Sequence, residues 1–158
     1  MKLLRAAPRI FLAGAGRSGL AVRAFAMRLV HPGRTVHVVG DATTPAVHAG
    51  DPLLIGSGSG RTASLLAASR KARELGVTVL LFTIDAGSPI AALADRVVRI
   101  DAPSPKAASA PAGALSVQPM GSLFEQTLLL LFDAPVVALM HADNQAADVM
   151  FARHANLE

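Results

Sequence analysis

The amino-acid sequence predicts an α/β fold, a three-layer sandwich in which helices cover both faces of a five-stranded parallel sheet. Short apolar runs typical of strands alternate along the chain with segments of helical periodicity, and this alternation favours parallel βαβ units. The strand runs lack a regular polar alternation, which is typical of parallel strands buried on both faces. The length of 158 residues fits a single domain, residues 1–158.

The elements in the first third of the chain are predicted as follows. Residues 9–13 form an apolar run that ends in glycines, as a buried strand does. Residues 18–30 carry a broad apolar face and end at a His-Pro-Gly sequence, which indicates a helix. The β-branched residues 35–39 predict a second strand, and residues 51–55 predict a third after a Gly-Asp-Pro turn.

The middle of the chain continues the alternation. Residues 62–75 place apolar side chains at helical spacing, and the glycine that follows is suited to end the helix. Residues 77–83 and 96–100 predict the fourth and fifth strands. Between them, a Ser-Pro pair predicts the start of a short helix over residues 88–94.

The last third of the chain contains one loop and two helices. Residues 102–116 are rich in Ala, Pro and Ser and predict a long loop. Residues 122–140 form a helix that is apolar on nearly all sides, which indicates a central position or a subunit interface. A final helix is predicted over about residues 142–153.

Composition excludes several function classes. Fifteen basic and eleven acidic residues give a formal net charge of +4 without a run of basic residues, which suits a small anionic ligand better than nucleic acid. The absence of cysteine excludes disulfides, cysteine nucleophiles and cysteine-based zinc sites. The longest apolar stretch contains Glu125, Asp133 and Pro135 and is a poor membrane span. Because no convincing signal sequence begins the chain, we expect a cytoplasmic protein without a membrane partner.

A first glycine-rich loop follows the first predicted strand. Residues 14–19, Gly-Ala-Gly-Arg-Ser-Gly, match the pattern G-x-G-x-x-G, and Asp41 follows the second strand. This arrangement is typical of dinucleotide-binding sites, in which glycines let backbone N–H groups approach a phosphate at a helix N-terminus. A tight strand-to-helix turn without a ligand is the alternative interpretation.

A second glycine-rich loop follows the third predicted strand. Residues 56–62, Gly-Ser-Gly-Ser-Gly-Arg-Thr, offer N–H groups and hydroxyls to one compact phosphate. The loop lacks the G-K-[ST] ending of a P-loop, which disfavours ATP and GTP. Both loops lie at the carboxyl ends of strands and therefore predict one crevice. A dinucleotide would leave the second loop unexplained, whereas a monophosphate held there with its carbon chain toward the first loop explains both.

Glu125 is the candidate general base. Of the three glutamates, Glu74 lies on a polar helix face, Glu158 is terminal, and only Glu125 has apolar neighbours. The spacing Ser122-x-x-Glu125 also predicts a capping box that would bind the first N–H groups of a helix. A carboxylate at a helix start can also face a crevice and act as a base. The five histidines show no metal-ligand spacing, so no metal site is expected.

Together these motifs resemble the sugar isomerase (SIS) family, and within it the 6-phospho-3-hexuloisomerase branch. The matching segments are GAGRSG (14–19), FAMRLVHPG (25–33), TTP (43–45), SGSGRT (57–62), PMGSLFEQT (119–127) and RHANLE (153–158). The resemblance implies a flavodoxin-like fold, no cofactor and a homo-oligomer, specifically a tetramer. It also implies the interconversion of D-arabino-hex-3-ulose 6-phosphate and D-fructose 6-phosphate through a 2,3-enediolate. This reaction is the isomerase step of the ribulose monophosphate pathway of formaldehyde assimilation.

The resemblance also assigns residues. The family's phosphate loop corresponds to Ser57, Gly58, Ser59, Gly60, Arg61 and Thr62. Its substrate contact at the first loop corresponds to Ser18, with Gly16 and Arg17 adjacent, and its catalytic glutamate corresponds to Glu125. His154 matches a histidine that can reach a neighbouring subunit's site and is a second catalytic candidate.

Some alternatives remain at this point. The family begins with a longer helical segment than the eight residues found here, so we expect that helix to be missing or shortened. The other functions to weigh are a non-catalytic sugar-phosphate sensor, a small NAD-binding module and an isomerase of another phosphosugar.

Overall fold

Five parallel strands form the central sheet of the computed structural model, which describes residues 2–106 and 116–157. The strands are β1 (Ile10–Gly14), β2 (Val36–Val38), β3 (Pro52–Gly56), β4 (Thr78–Thr83) and β5 (Arg96–Arg99). Their order across the sheet is β2-β1-β3-β4-β5, which is the flavodoxin-like order. The predicted parallel sheet is therefore confirmed.

Helices cover both faces of this sheet. They are α1 (Lys2–Ala6), α2 (Gly16–Val30), α3 (Ala63–Glu74), α4 (Ser122–Ala142) and α5 (Ala147–Phe151). On one face, Phe25 of α2 stacks on Phe132 of α4 with ring centroids 4.3 Å apart. On the other face, α3 buries Leu65 and Ala72 against the strands. The predicted three-layer α/β sandwich is confirmed.

The carboxyl ends of β1 and β3 meet where the sheet changes its winding direction. Gly14 of β1 pairs with Gly56 of β3. From β1 the chain passes through α2 to β2 on one side, and from β3 it passes through α3 to β4 on the other. The loops after the two strands therefore flank a single crevice, the place where doubly wound sheets bind ligands.

The short helix predicted over residues 88–94 is reduced to a 3-10 turn, Ala91–Leu93. The buried Ser88 side chain accepts a hydrogen bond from the Ala91 N–H at 3.3 Å, as the predicted cap should. The backbone becomes extended at Ala94, because β5 begins only two residues later. The cap was correct, but too little chain separates it from the strand for an α-helix.

The helix predicted over about residues 142–153 was also wrong in its extent, because only residues 147–151 within that range form a separate helix. The chain leaves the helical conformation after α4 at Asn144, whose φ of 49° is left-handed, and α5 is a separate helix of five residues. At the other end of the chain, α1 is a helix of five residues that precedes β1. The long loop predicted over residues 102–116 lies largely outside the described residues.

Candidate active site

The glycines of the first loop let β1 and α2 approach each other closely. A Cβ atom on Gly14 would lie 2.9 Å from the Gly19 Cα, and one on Gly19 would lie 2.9 Å from the Gly14 carbonyl oxygen. Between them, Gly16 has a φ of +57°, which favours glycine. Because of this close approach, the unpaired N–H groups of the first turn of α2 lie at the carboxyl end of β1.

The second loop is held in place by hydrogen bonds to the end of β4. The Gly58 carbonyl oxygen accepts hydrogen bonds from the Thr83 hydroxyl and from the Ile84 N–H, both at 3.0 Å. In a trans peptide the C=O and the following N–H point in opposite directions. The Ser59 N–H is therefore directed away from β4, toward the crevice, as a phosphate-binding loop requires.

Two residues of the second loop are turned away from the crevice. Gly60 has a φ of +59° and packs so closely on Ser88 that a Cβ atom would lie 2.0 Å from the serine hydroxyl oxygen. The Arg61 guanidinium donates a hydrogen bond to the buried Asp85 carboxylate at 3.1 Å. Gly60 and Arg61, both carried over from the family's phosphate loop, thus support the loop from outside the cavity.

A cavity of about 320 Å³ occupies the crevice. Its walls include most of the predicted binding residues, namely Gly16, Arg17, Ser18, Ser57, Gly58, Ser59, Thr62 and Glu125. Three helix N-termini meet at this cavity, those of α2, α3 and α4. The first turns of α2 and α3 contain no acidic residue, so their partial positive charges are free to attract an anion.

Glu125 faces this cavity and does not cap its helix. The N-cap of α4 is Gly121, one residue before the predicted Ser122, and no side chain caps the helix. The predicted capping box was therefore wrong, since the shift of one residue places Glu125 beyond its reach. The Glu125 carboxylate instead accepts a hydrogen bond from the Arg17 Nε, and the Glu125 side chain is only 19% exposed.

The cavity wall also contains residues that sequence reasoning did not assign to the site, among them Ser104, Pro105, Lys106 and Met120. The first three follow β5 in the Ala- and Pro-rich loop, which contains no recognisable motif. Met120 precedes α4 with a left-handed φ of 55°, a strained conformation for a residue with a side chain. Met120 lies within the segment 119–127 that matches the family. For the other three residues, the available signal was that loops at the carboxyl edge of a parallel sheet commonly carry binding residues.

His154 lies far from the cavity within one chain. Its ring packs on that of His31, with centroids 5.3 Å apart, and His31 follows the last residue of α2. The cavity is at the first residue of this helix, and 15 residues of α-helix span about 22 Å. The structure therefore does not bring His154 and Glu125 together in the same chain.

The nucleotide interpretation of the first loop also lacks its acidic partner. Both carboxylate oxygens of Asp41 accept hydrogen bonds from Arg23, which hold the pKa of Asp41 below its usual value. Asp41 is not among the residues that line the cavity. In the described parts of the chain, no cluster of three or more His, Asp or Glu side chains is arranged to hold a metal ion.

The fold and the cavity define a class of protein, the doubly wound α/β domains that bind a small anionic ligand at the switch point of the sheet. A family model narrows this class. The chain belongs to the SIS domain family, whose model matches residues 3–130.

The relatives agree with this family. The chain is 48% identical over 150 residues to a 3-hexulose-6-phosphate isomerase of Bacillus subtilis, covering 95% of this chain and 80% of the relative. It is 47% identical over 151 residues to an isomerase of the same name from Mycobacterium gastri, covering 95% and 74%. A crystal structure from Methanococcus jannaschii, for which that function has been inferred, matches with a TM-score of 0.88 at 32% identity. The match covers 99% of this chain and 82% of that one.

Proposed function

We propose that the protein is an isomerase that interconverts D-arabino-hex-3-ulose 6-phosphate and D-fructose 6-phosphate. The similarity to several 3-hexulose-6-phosphate isomerases over most of their length supports this substrate. The observation that carries the proposal is the position of Glu125. Its carboxylate faces the same cavity as the serine-rich loop and is not used in helix capping.

The phosphate of the substrate anchors it at the second loop. The loop hydroxyls and the N-terminus of α3 bind a dianion there, remote from the carbons that react. Binding energy from a non-reacting group can then orient the reacting carbons beside Glu125. A 3-ketose whose O6 carries phosphate cannot close a furanose ring through that oxygen. The open-chain substrate therefore needs no ring-opening acid in this direction.

Glu125 then moves one proton. As a carboxylate it removes the hydrogen on C2 of the 3-ketose, and the electron pair of that C–H bond forms the C2–C3 double bond of the enediolate. The hydroxyl proton passes from O2 to O3, and the carboxylic acid of Glu125 returns its proton to C3. The product is the 2-ketose, with the same atoms and the same oxidation state overall.

Ser18 and the N-terminus of α2 stabilise the intermediate, and Arg17 positions Glu125. Charge develops on the enediolate oxygens, where preorganised donors contribute most. The Ser18 hydroxyl and the first N–H groups of α2 line the cavity opposite the second loop. Arg17 orients the carboxylate through its hydrogen bond to Glu125 before the substrate enters.

Substitution of Glu125 by Gln tests this proposal. Gln keeps the size of the side chain but cannot accept a proton from carbon, so we expect kcat to fall by about 10²–10⁴-fold or more, with fructose 6-phosphate binding retained. The assay measures fructose 6-phosphate formed from enzymatically made hexulose 6-phosphate. Glu74→Gln is the matched control, since Glu74 is exposed on α3 and pairs only with Lys71 in the described structure.

The assay also separates the remaining functions. A wild-type protein that binds fructose 6-phosphate without turnover would be a sensor, and turnover of a pentose phosphate alone would assign another isomerase. Near-normal turnover in Glu125→Gln would remove this residue from the mechanism. The NAD-binding alternative has lost its support, since Asp41 is paired with Arg23.

A homo-oligomer, specifically a tetramer, is also part of the proposal. Leu20 of α2 (66% exposed) and Leu129 of α4 (43% exposed) lie together on the surface where these two helices meet. Such a contiguous apolar surface is typical of an interface. By length and composition α4 could cross a membrane, with a mean hydropathy of 1.6 over its most apolar window, of which 28% is buried. A second copy of the chain suits this face better, because α4 also packs on α2 and carries two carboxylates.

The remaining assignments depend on this assembly and on the reaction. In an oligomer, His154 of one subunit could serve the cavity of another, where it would assist ring opening of fructose 6-phosphate. Light scattering after size-exclusion chromatography gives the subunit number. We place the protein in the cytoplasm and in the ribulose monophosphate pathway on the basis of the proposed reaction.

A further inference from the structure

The basic side chains in and around the cavity differ in whether they already pair with a carboxylate. The Arg17 guanidinium pairs with Glu125, and the Arg61 guanidinium pairs with Asp85 outside the cavity. Lys106 also lines the cavity, and within residues 2–106 and 116–157 it forms no ion pair with a carboxylate. Lys106 is therefore the cavity cation that remains available to a ligand.

The second loop by itself supplies no positive side chain to a phosphate. Its contributions are the hydroxyls of Ser57, Ser59 and Thr62, its N–H groups, and the partial charge of the α3 N-terminus. A helix N-terminus is equivalent to roughly half of one positive charge, whereas a phosphate monoester carries between 1.5 and 2 negative charges at about pH 7. A neighbouring ammonium group would supply the missing charge.

The path of the chain after β5 brings Lys106 to the same cavity as the second loop. After β5, the Ile100 N–H donates to the Thr83 carbonyl oxygen at 2.8 Å, and Ala102 is fully buried in the core. This segment therefore begins beside the end of β4, the strand to which Gly58 is bonded. Ala102 packs in the same core cluster as α2 and α4, and Lys106 then lines the cavity together with the hydroxyl residues of the second loop.

We propose that Lys106 supplies the counter-charge for the substrate's phosphate and so selects phosphorylated over unphosphorylated sugars. It acts on binding and orientation and takes no part in proton transfer. The inference rests on the proposed function for the identity of the substrate, but the binding of a phosphate group by Lys106 can be measured without any turnover.

The experiment compares Lys106→Met with wild-type protein. We expect KM for hexulose 6-phosphate to rise about 10- to 100-fold, the usual contribution of a hydrogen bond between charged groups, with kcat changed less than about threefold. Lys106→Arg keeps the positive charge and should recover most of the affinity. Lys71→Met is the matched control, because Lys71 is exposed and pairs with Glu74 on α3.

A binding measurement makes the result independent of catalysis. Calorimetric titration with fructose 6-phosphate and with inorganic phosphate should show the same loss of affinity in Lys106→Met. Unchanged affinity for both ligands would overturn the inference, as would a fall in kcat at constant KM, which would place the charge at the enediolate. If wild-type protein binds fructose 6-phosphate but does not isomerise it, the proposed function fails while the titrations still decide the role of Lys106.

Discussion

Replacement of Thr83 by Val tests whether β4 positions the second glycine-rich loop. Thr83 is fully buried. Its hydroxyl donates to the Gly58 carbonyl oxygen at 3.0 Å and accepts from the Asp85 N–H at 3.2 Å. Val has nearly the same shape, so the substitution removes two hydrogen bonds without opening a cavity.

The expected magnitudes follow from these two contacts. A typical intramolecular hydrogen bond contributes about 0.5–1.5 kcal/mol, so the loss of two should lower the free energy of unfolding by about 1–3 kcal/mol. For a chain of this length, 2 kcal/mol corresponds to a fall in Tm of roughly 6 °C. The Ile84 N–H still holds the Gly58 carbonyl group at 3.0 Å. The Ser59 N–H is then misaligned rather than lost, and we expect a roughly three- to tenfold rise in KM.

The assay combines thermal unfolding with steady-state kinetics. Thr78→Val is the matched control, because Thr78 lies in the same strand and its side chain makes no hydrogen bond within the described structure. A variant whose Tm falls while KM stays at the wild-type value would refute the reasoning. That result would mean that the hydroxyl stabilises the fold but does not orient the loop.

Two further predictions concern stability. Gly19→Ala places a Cβ atom 2.9 Å from the backbone oxygen of Gly14. The cost of overpacking, about 1–3 kcal/mol, should exceed the gain of about 1 kcal/mol in helix propensity, so we expect a less stable protein. Denaturant unfolding measures this change. A stability equal to or above that of wild type would show that the contact is unimportant. Burial, Arg28 and His154 together lower the pKa of His31. The unfolded chain therefore binds a proton more readily, and stability should decline as the pH falls through about 6.5. His31→Gln should flatten unfolding curves measured between pH 7 and 5, and parallel curves would contradict the assignment.

The fold was predictable because its signals are local and repeated. Each strand is a short apolar run bounded by turn residues, and α2 and α3 carry an apolar stripe that ends at a helix-breaking sequence. The two errors in secondary structure have different causes. Ser88 does cap a turn, but β5 begins too soon for a helix to develop. Asn144 was an overlooked signal for the end of α4, because Asn adopts the left-handed conformation more readily than most residues with a side chain.

The site was predictable in its composition but not in the use of each side chain. The glycine-serine pattern indicated a loop that binds a phosphate, because glycine and serine together offer N–H and hydroxyl donors. The direction of the Arg61 side chain depends on Asp85, which lies 24 residues further along the chain. Lys106 lies in a loop whose composition indicates only irregular structure. Contacts between distant segments depend on how the whole fold packs. A sequence motif therefore predicts which residues form a site more readily than it predicts the directions of their side chains.

The two glycine-rich loops look alike in sequence, but their glycines have different structural roles. In the first loop, Gly14 and Gly19 permit backbone contact between a strand and a helix. In the second loop, the Gly58 carbonyl group is bonded to β4 so that the next N–H can meet an anion. The position of the N-cap of α4 also matters. Because the N-cap is Gly121 and not Ser122, the Glu125 carboxylate does not cap the helix and faces the cavity. A capping box at Ser122 would instead have drawn the Glu125 carboxylate toward the first N–H groups of the helix.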